Sequence, residues 1–264
     1  GVCARLRGRA AVAGCSSGGP GPQPAAAGPW HLVFQDEFTG SSLNPAHWVT
    51  CYDWNANGCT NAGNHELEWY LPGQVSVGGG AARLTATRQA TTGSDGHTYA
   101  WTSGMISTGR TSWDATPKFT FTRGYVAAGV EVPAQGGMFP AFWLMPASRV
   151  SPPELDVAEF LGTAHHVQMT VHWKGASGKD TYQFGTYGPQ DFSAGYHVFA
   201  LDWEANSLTW LVDGVARYWV TDTSKIPKVP MEILFDLAVG LPVHPPSSVN
   251  SAQMKVEWVR VWQH

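Results

Sequence analysis

Glu154-Leu155-Asp156-Val157-Ala158-Glu159-Phe160 places three carboxylates within six residues, separated by apolar side chains. Acids are scarce in the chain as a whole, with 20 Asp and Glu in 264 residues. Side chains on a β-strand alternate faces with period two, so Glu154 and Asp156 share a face and Leu155 and Val157 take the other. Strict alternation would send Glu159 to the apolar side. One extra residue, a bulge at Val157-Ala158, returns it to the side of the other two. The product is a row of three acids over a hydrophobic back. Two glutamates on one face can act as nucleophile and acid in glycoside hydrolysis, where carboxyl groups about 5 Å apart give retention of configuration. The same residues admit a plainer reading: a solvated acidic edge strand, or an acid cluster that binds Ca2+.

A row of this kind needs a sheet to carry it, and strand patterns recur along the chain. They lie at residues 31–38, 74–77, 82–88, 104–108, 119–121, 124–132, 141–145, 155–160 and 167–173. Further ones lie at 181–184, 196–204, 207–212, 215–220, 231–238 and 253–262. Each is bounded by Gly, Pro, Asn or Asp, the residues of turns. Asp213-Gly214 between two strands marks a two-residue hairpin. Helical turns are expected only at 44–48 and 221–226. Many strands without long helices imply an all-β sandwich of two antiparallel sheets.

Composition narrows the class. The chain is 43% hydrophobic and 14% charged, with net charge −4, so no basic field favours nucleic acid. Thirteen Trp and 30 Gly suggest many turns and many large aromatic surfaces, which serve cores and also stack on the C–H faces of sugars. No run of 18 apolar residues predicts a transmembrane segment. Cys51 and Cys59 flank a polar loop and could close a disulfide in an oxidising compartment. Residues 1–29 differ in character: Arg5, Arg7 and Arg9 precede a small-residue run and then a Pro-, Gly- and Ala-rich stretch. This reads as an export-leader remnant and flexible linker, leaving 30–264 as one domain. Val12-Ala13-Gly14-Cys15 is similar to a bacterial lipoprotein processing site, with Cys15 lipidated; Cys3 also lies in this leader. The expected location is secreted or cell-envelope.

The ordered segments together resemble glycoside hydrolase family 16, the laminarinase-like group with the signature ExDxxE. Phe34-Gln35-Asp36-Glu37-Phe38 is similar to the family's opening strand. Asn64-His65-Glu66-Leu67-Glu68-Trp69-Tyr70 resembles NxELQxY, and Gly137-Met138-Phe139-Pro140-Ala141-Phe142-Trp143-Leu144 resembles GxWPAFWL. The segment from Tyr196 to Trp203 and Asp213-Gly214 resemble later strands, and Leu237-Ala238-Val239-Gly240 resembles NLAVGG. The resemblance runs over nearly all of residues 30–264. It implies a β-jelly roll of the concanavalin A-like kind, whose concave sheet carries the catalytic cleft.

Mapped by motif, Glu154 would be the nucleophile, Glu159 the acid/base, and Asp156 the residue that hydrogen-bonds the nucleophile. The resemblance further implies substrate contacts at Asn64, Trp143 and His172, with Trp143 a sugar platform and Glu68 structural. No cofactor is required for catalysis. A structural Ca2+ would use Glu37, a backbone carbonyl near Gly80, and Glu257. Three segments depart from the family pattern. Ala127 and Gly129 stand where Glu and Arg are frequent, Phe139 stands for the usual Trp, and Leu241-Pro242 replaces the second Gly and following residues of the NLAVGG segment. None touches the acids, but all three bear on which glucan is bound.

The expected function is that of a monomeric retaining endo-hydrolase of β-1,3-glucan such as laminarin. Two other activities remain open on the same scaffold, hydrolysis of β-1,3-galactan or mixed-linkage glucan, and transglycosylation. A non-catalytic β-glucan-binding protein is the alternative of a different class, since fold does not fix function.

Overall fold

The structure is a computed structural model and describes residues 29–52 and 58–264. The leader and linker read at 1–29, with Cys3 and Cys15, fall outside the described residues apart from Pro29. Among the described residues, strands form a ten-stranded sheet, a six-stranded sheet and a two-stranded ribbon. The six-stranded sheet runs, edge to edge, Asp180–Tyr187, Val167–Lys174, Glu154–Glu159, Met138–Pro146, Met231–Val239 and Met105–Ser107, all antiparallel. The larger sheet stacks against it to form a jelly-roll sandwich, and the core lies between them. Leu155, Val171 and Ile233 enter that core from one side, and Trp203, Trp210 and Val256 from the other.

Sequence explains each strand's place. Met138–Pro146 and Met231–Val239 are apolar nearly throughout and buried at every position. Such runs suit central strands covered on both faces. Asp180–Tyr187 alternates exposed and half-buried residues, as an edge strand with one solvated face should. Most of the chain's tryptophans serve packing: Trp48, Trp69, Trp101, Trp143, Trp203, Trp210 and Trp262 are buried.

Short elements escaped the alternation pattern. Glu68–Tyr70 pairs in parallel with Trp101–Ser103, and all six residues are buried, so neither shows a polar side. The ribbon Thr91–Thr92 with Thr98–Tyr99 is equally short. Residues 119–121 make no strand; Phe121 forms one isolated bridge, to Met231. The turn at 44–48 is present, with the amides of His47 and Trp48 both donating to the Asn44 carbonyl. At 221–226 a single 3-10 turn, Thr223–Lys225, starts at Asp222, whose side chain accepts from the Ser224 amide. Cys51 and Cys59 are joined in a disulfide. No helix among the described residues is long and apolar enough to cross a membrane.

Candidate active site

The acid strand Glu154–Glu159 is third from the edge of the six-stranded sheet. Against Met138–Pro146, Phe142 pairs with Ala158 and Trp143 with Asp156, so Val157 is an extra residue. Against Val167–Lys174, Asp156 pairs with Thr170 and Glu159 with Gln168, three steps along one strand matching two along the other. The bulge expected at Val157-Ala158 is therefore there. Leu155, Val157 and Ala158 pack into the core. Glu154, Asp156 and Glu159 all line a cavity of about 350 Å³ on the opposite face. The bend is pinned from the other sheet, because the indole Nε1 of Trp210 donates to the Asp156 carbonyl at 2.9 Å. Trp210 is fully buried, and a buried carbonyl left without a donor costs about 1–3 kcal/mol.

Each acid has distinct partners. Ser151 Oγ donates to Glu154 Oε2 at 3.3 Å. Thr170 Oγ1 donates to Glu159 Oε2 at 3.2 Å, and Gln168 Nε2 donates to Thr170 at 3.3 Å. His172 Nε2 lies 3.1 Å from Asp156 Oδ2 and 3.9 Å from Glu154 Oε1. The other ring nitrogen, Nδ1, lies 3.2 Å from both oxygens of Asp180. His172 thus bridges the acid row and the edge strand.

Among the described residues, those lining this cavity include neither Lys nor Arg. Burial accordingly pushes the Glu159 carboxyl up to about 8, with the charges of Glu154 and Asp236 adding to the effect. Burial also raises Glu154 and Asp156 well above the usual carboxylate range. These two hydrogen-bond each other, which raises Glu154 further and offsets part of the rise at Asp156. Asp156 is the deeper, with 1% of its side chain exposed against 20% for Glu154. An anion is less costly where water reaches it. The arrangement sets Glu159, a carboxylic acid near neutral pH, on the same face as Glu154, the pair of carboxyl groups that a retaining glycosidase uses.

Of the residues expected to touch substrate, Asn64, Trp143 and His172 all line the cavity. Asn64 Nδ2 donates to Glu66 Oε1 at 3.1 Å. Trp143 is only 8% exposed, and its indole N–H donates to Asp236 Oδ1 at 2.8 Å. It is thus a wall of the site with a narrow free edge, not a broad platform. Glu68 lies outside the cavity lining and is fully buried; its Oε2 accepts from the Val239 amide at 2.8 Å.

Sequence reasoning passed over Asp236, Tyr70 and Asp180. Asp236 is 4% exposed, accepts from Trp143 and from the Tyr70 hydroxyl (2.7 Å), and is raised to about 7, mainly by burial and then by Glu66. A lone Asp inside the run Ile233-Leu234-Phe235-Asp236-Leu237-Ala238 was the available signal, since acids are seldom fully buried without a task. Nothing local marked Asp180. A larger pocket of about 600 Å³, lined in part by Trp48, Arg110 and Trp113, contains none of the three acids; Tyr52 lines both.

Two metal readings can be set against this geometry. Glu154, Asp156 and His172 present atoms within 4.8 Å of one another, a spacing that would also serve a divalent cation. The Ca2+ trio fits less well. Both Glu37 oxygens accept from Arg260, at 2.7 and 2.8 Å, and Arg260 is 3% exposed. Gly80 lies at a turn with φ +80°, and Glu257 neighbours Trp258 and Arg260. Calcium at Glu37 would have to share that carboxylate with a buried guanidinium.

Comparison with known proteins gives the family. Residues 63–260 match the family described as Glycosyl hydrolases family 16. The chain is 31% identical over 250 residues to an endo-1,3-1,4-beta-glycanase of Rhizobium meliloti, covering 87% of this chain and 51% of that protein. It is 31% identical over 274 residues to a glucan endo-1,3-beta-glucosidase of Niallia circulans, covering 91% of this chain and 39% of the relative. The chain thus spans about half or less of these relatives. Its fold matches the crystal structure of an endo-beta-1,3-glucanase from Pyrococcus furiosus with TM-score 0.75 and 27% identity, over 89% of this chain and 94% of that one.

Proposed function

The chain belongs to glycosyl hydrolase family 16, and from that premise we propose that it is an endo-acting hydrolase of β-1,3-linked glucan that retains anomeric configuration. The observation that carries this reading is the bulged strand, which sets Glu154, Asp156 and Glu159 on one face without a neighbouring Lys or Arg. Glu154 attacks the anomeric carbon while Glu159 gives its proton to the departing sugar oxygen, leaving a glycosyl ester on Glu154. Water then enters, Glu159 takes its proton, and the new C–O bond releases Glu154. Asp156 donates a hydrogen bond to Glu154 in the ionised state, and His172 holds Asp156 in place. The two carboxyl groups supply both proton and nucleophile, so no cofactor takes part. A structural Ca2+ at Glu37, Gly80 and Glu257 would compete with Arg260.

Mixed-linkage β-1,3-1,4-glucan is the second substrate reading, favoured by the name of the Rhizobium relative. A monomer in a secreted or cell-envelope setting fits both. One chain supplies every residue named in the mechanism, and the Cys51–Cys59 disulfide belongs to an oxidising compartment. The test is a product profile on laminarin, barley mixed-linkage glucan, β-1,3-galactan and agarose. Laminarin should yield a ladder of oligosaccharides from the first minutes, and Glu154→Gln should yield none. Reducing ends from none of the four would leave a glucan-binding protein as the better account.

A further inference from the structure

Beyond His172 the six-stranded sheet ends at Asp180–Tyr187. Gln183 Nε2 on this strand donates to the Tyr218 hydroxyl at 2.8 Å, and Gly185 packs on the Tyr218 ring, so these odd-numbered positions face the other sheet. The even-numbered positions face the cleft side. Register agrees: Tyr182 pairs with His172 and Phe184 with Thr170, and both partners point at the acids. Yet Tyr182 is 58% exposed and Phe184 49%. Their planes differ by 20° with centroids 6.3 Å apart, and the Tyr182 ring lies 5.5 Å from the His172 ring. Proteins usually protect an edge strand with charge rather than with two bare aromatic rings.

We propose that Tyr182 and Phe184 form a sugar-binding platform that prolongs the cleft past His172 and carries pyranose units of a long glucan distant from the cleaved bond. The proposal rests on the reading of the chain as a glucan hydrolase. Two rows cross the strands, Glu154–His172–Tyr182 and Asp156–Thr170–Phe184. Neighbouring strands lie about 4.8 Å apart, so the platform begins about 10 Å from the acids. A chain leaving the acids toward this edge passes over His172 and then meets two nearly parallel exposed rings. Aromatic faces take the C–H faces of sugars while the hydroxyls remain in water. A second copy of the chain, pairing edge to edge, is the competing occupant. Continuity favours sugar, because Tyr182 abuts a residue that already lines the cleft.

The double variant Tyr182→Ala/Phe184→Ala tests this, with Tyr182→Phe as the control that keeps the ring. kcat/KM is measured on laminaritriose, laminarihexaose and laminarin, together with retardation in native gels containing laminarin. The platform predicts a loss of about tenfold on laminarin and hexaose, equivalent to 1.4 kcal/mol. The trisaccharide should change less than about twofold, Tyr182→Phe should behave as the unaltered chain on all three, and retardation should weaken in the double variant alone. An unchanged double variant, or an equal loss on short and long substrates, would overturn the proposal and leave the glucanase reading standing. If the unaltered chain cleaves none of the three, the glucanase reading fails; the gel then decides the platform, with retardation lost in the double variant supporting it, and retardation retained or never seen overturning it. A dimer that the double variant converts to monomer, without a length-dependent change, would assign the rings to a subunit contact.

Discussion

Two groups of carboxylates occupy opposite sheets of this sandwich, and they are treated in opposite ways. On the ten-stranded sheet Glu37 meets Arg260 through both oxygens, and Glu131 meets Lys255 at 2.9 Å. On the six-stranded sheet Glu154, Asp156, Glu159 and Asp236 meet one another, with His172 as their nearby base. The first group is neutralised and serves architecture. The second keeps like charges together in a desolvated place, an arrangement that disfavours ionisation and suits proton transfer. Acids left without cations inside a cleft are thus the better guide to chemistry than acids counted along a chain.

The contrast can be broken most sharply by removing one acid from each group. Glu159→Gln should lower kcat by about 10²–10⁴, the usual contribution of a general acid. Glu37→Gln should leave kcat within about twofold and act on thermal stability instead, by exposing the pairing demand of Arg260. Equal kinetic effects would erase the distinction.

A smaller effect concerns pH. In the proposed mechanism Glu159 acts as an acid, and burial pushes its carboxyl up to about 8, so activity should fall as pH rises through that value. Asp236 contributes to that elevation as an anion. The groups around Asp236 are Tyr70, Tyr52, Trp143, Glu66, Glu154, Asp156 and Glu159, with no Lys or Arg among the described cleft residues to offset them. Asp236→Asn removes one negative charge while keeping the shape, so the alkaline limb of kcat/KM should move to lower pH. A limb that stays put or moves up would show that Asp236 acts only through packing. The smallest effect expected is that of a chelator. EDTA should change neither the laminarin rate nor Tm, because carboxyl chemistry needs no metal and Arg260 already holds Glu37. A lost rate would assign Glu154, Asp156 and His172 to a cation, and a lowered Tm with the rate intact would restore the Ca2+ site.

Much of this was legible in the residues. The period-two pattern identifies the long strands, and the extra residue between Asp156 and Glu159 announces the bulge before any coordinate. Glu68–Tyr70, Trp101–Ser103 and the ribbon Thr91–Thr92 with Thr98–Tyr99 escaped because such short stretches complete no period. Asp236 and Asp180 escaped for a different reason. Their roles come from strand neighbours, Trp143 for one and His172 for the other, which register brings together from sequence positions 93 and 8 apart. Trp143 itself was recognised as part of the site, but its burial depends on what packs over a central strand, which no local pattern records.

The central claim is a retaining displacement at Glu154, and the anomeric proton of the first product reports on it directly. Laminarin digestion followed by proton NMR, within the first minutes and ahead of mutarotation, should show new reducing ends as the β-anomer, with α appearing later. An α-anomer formed first would mean that water attacks directly, and Glu154 would no longer be the nucleophile.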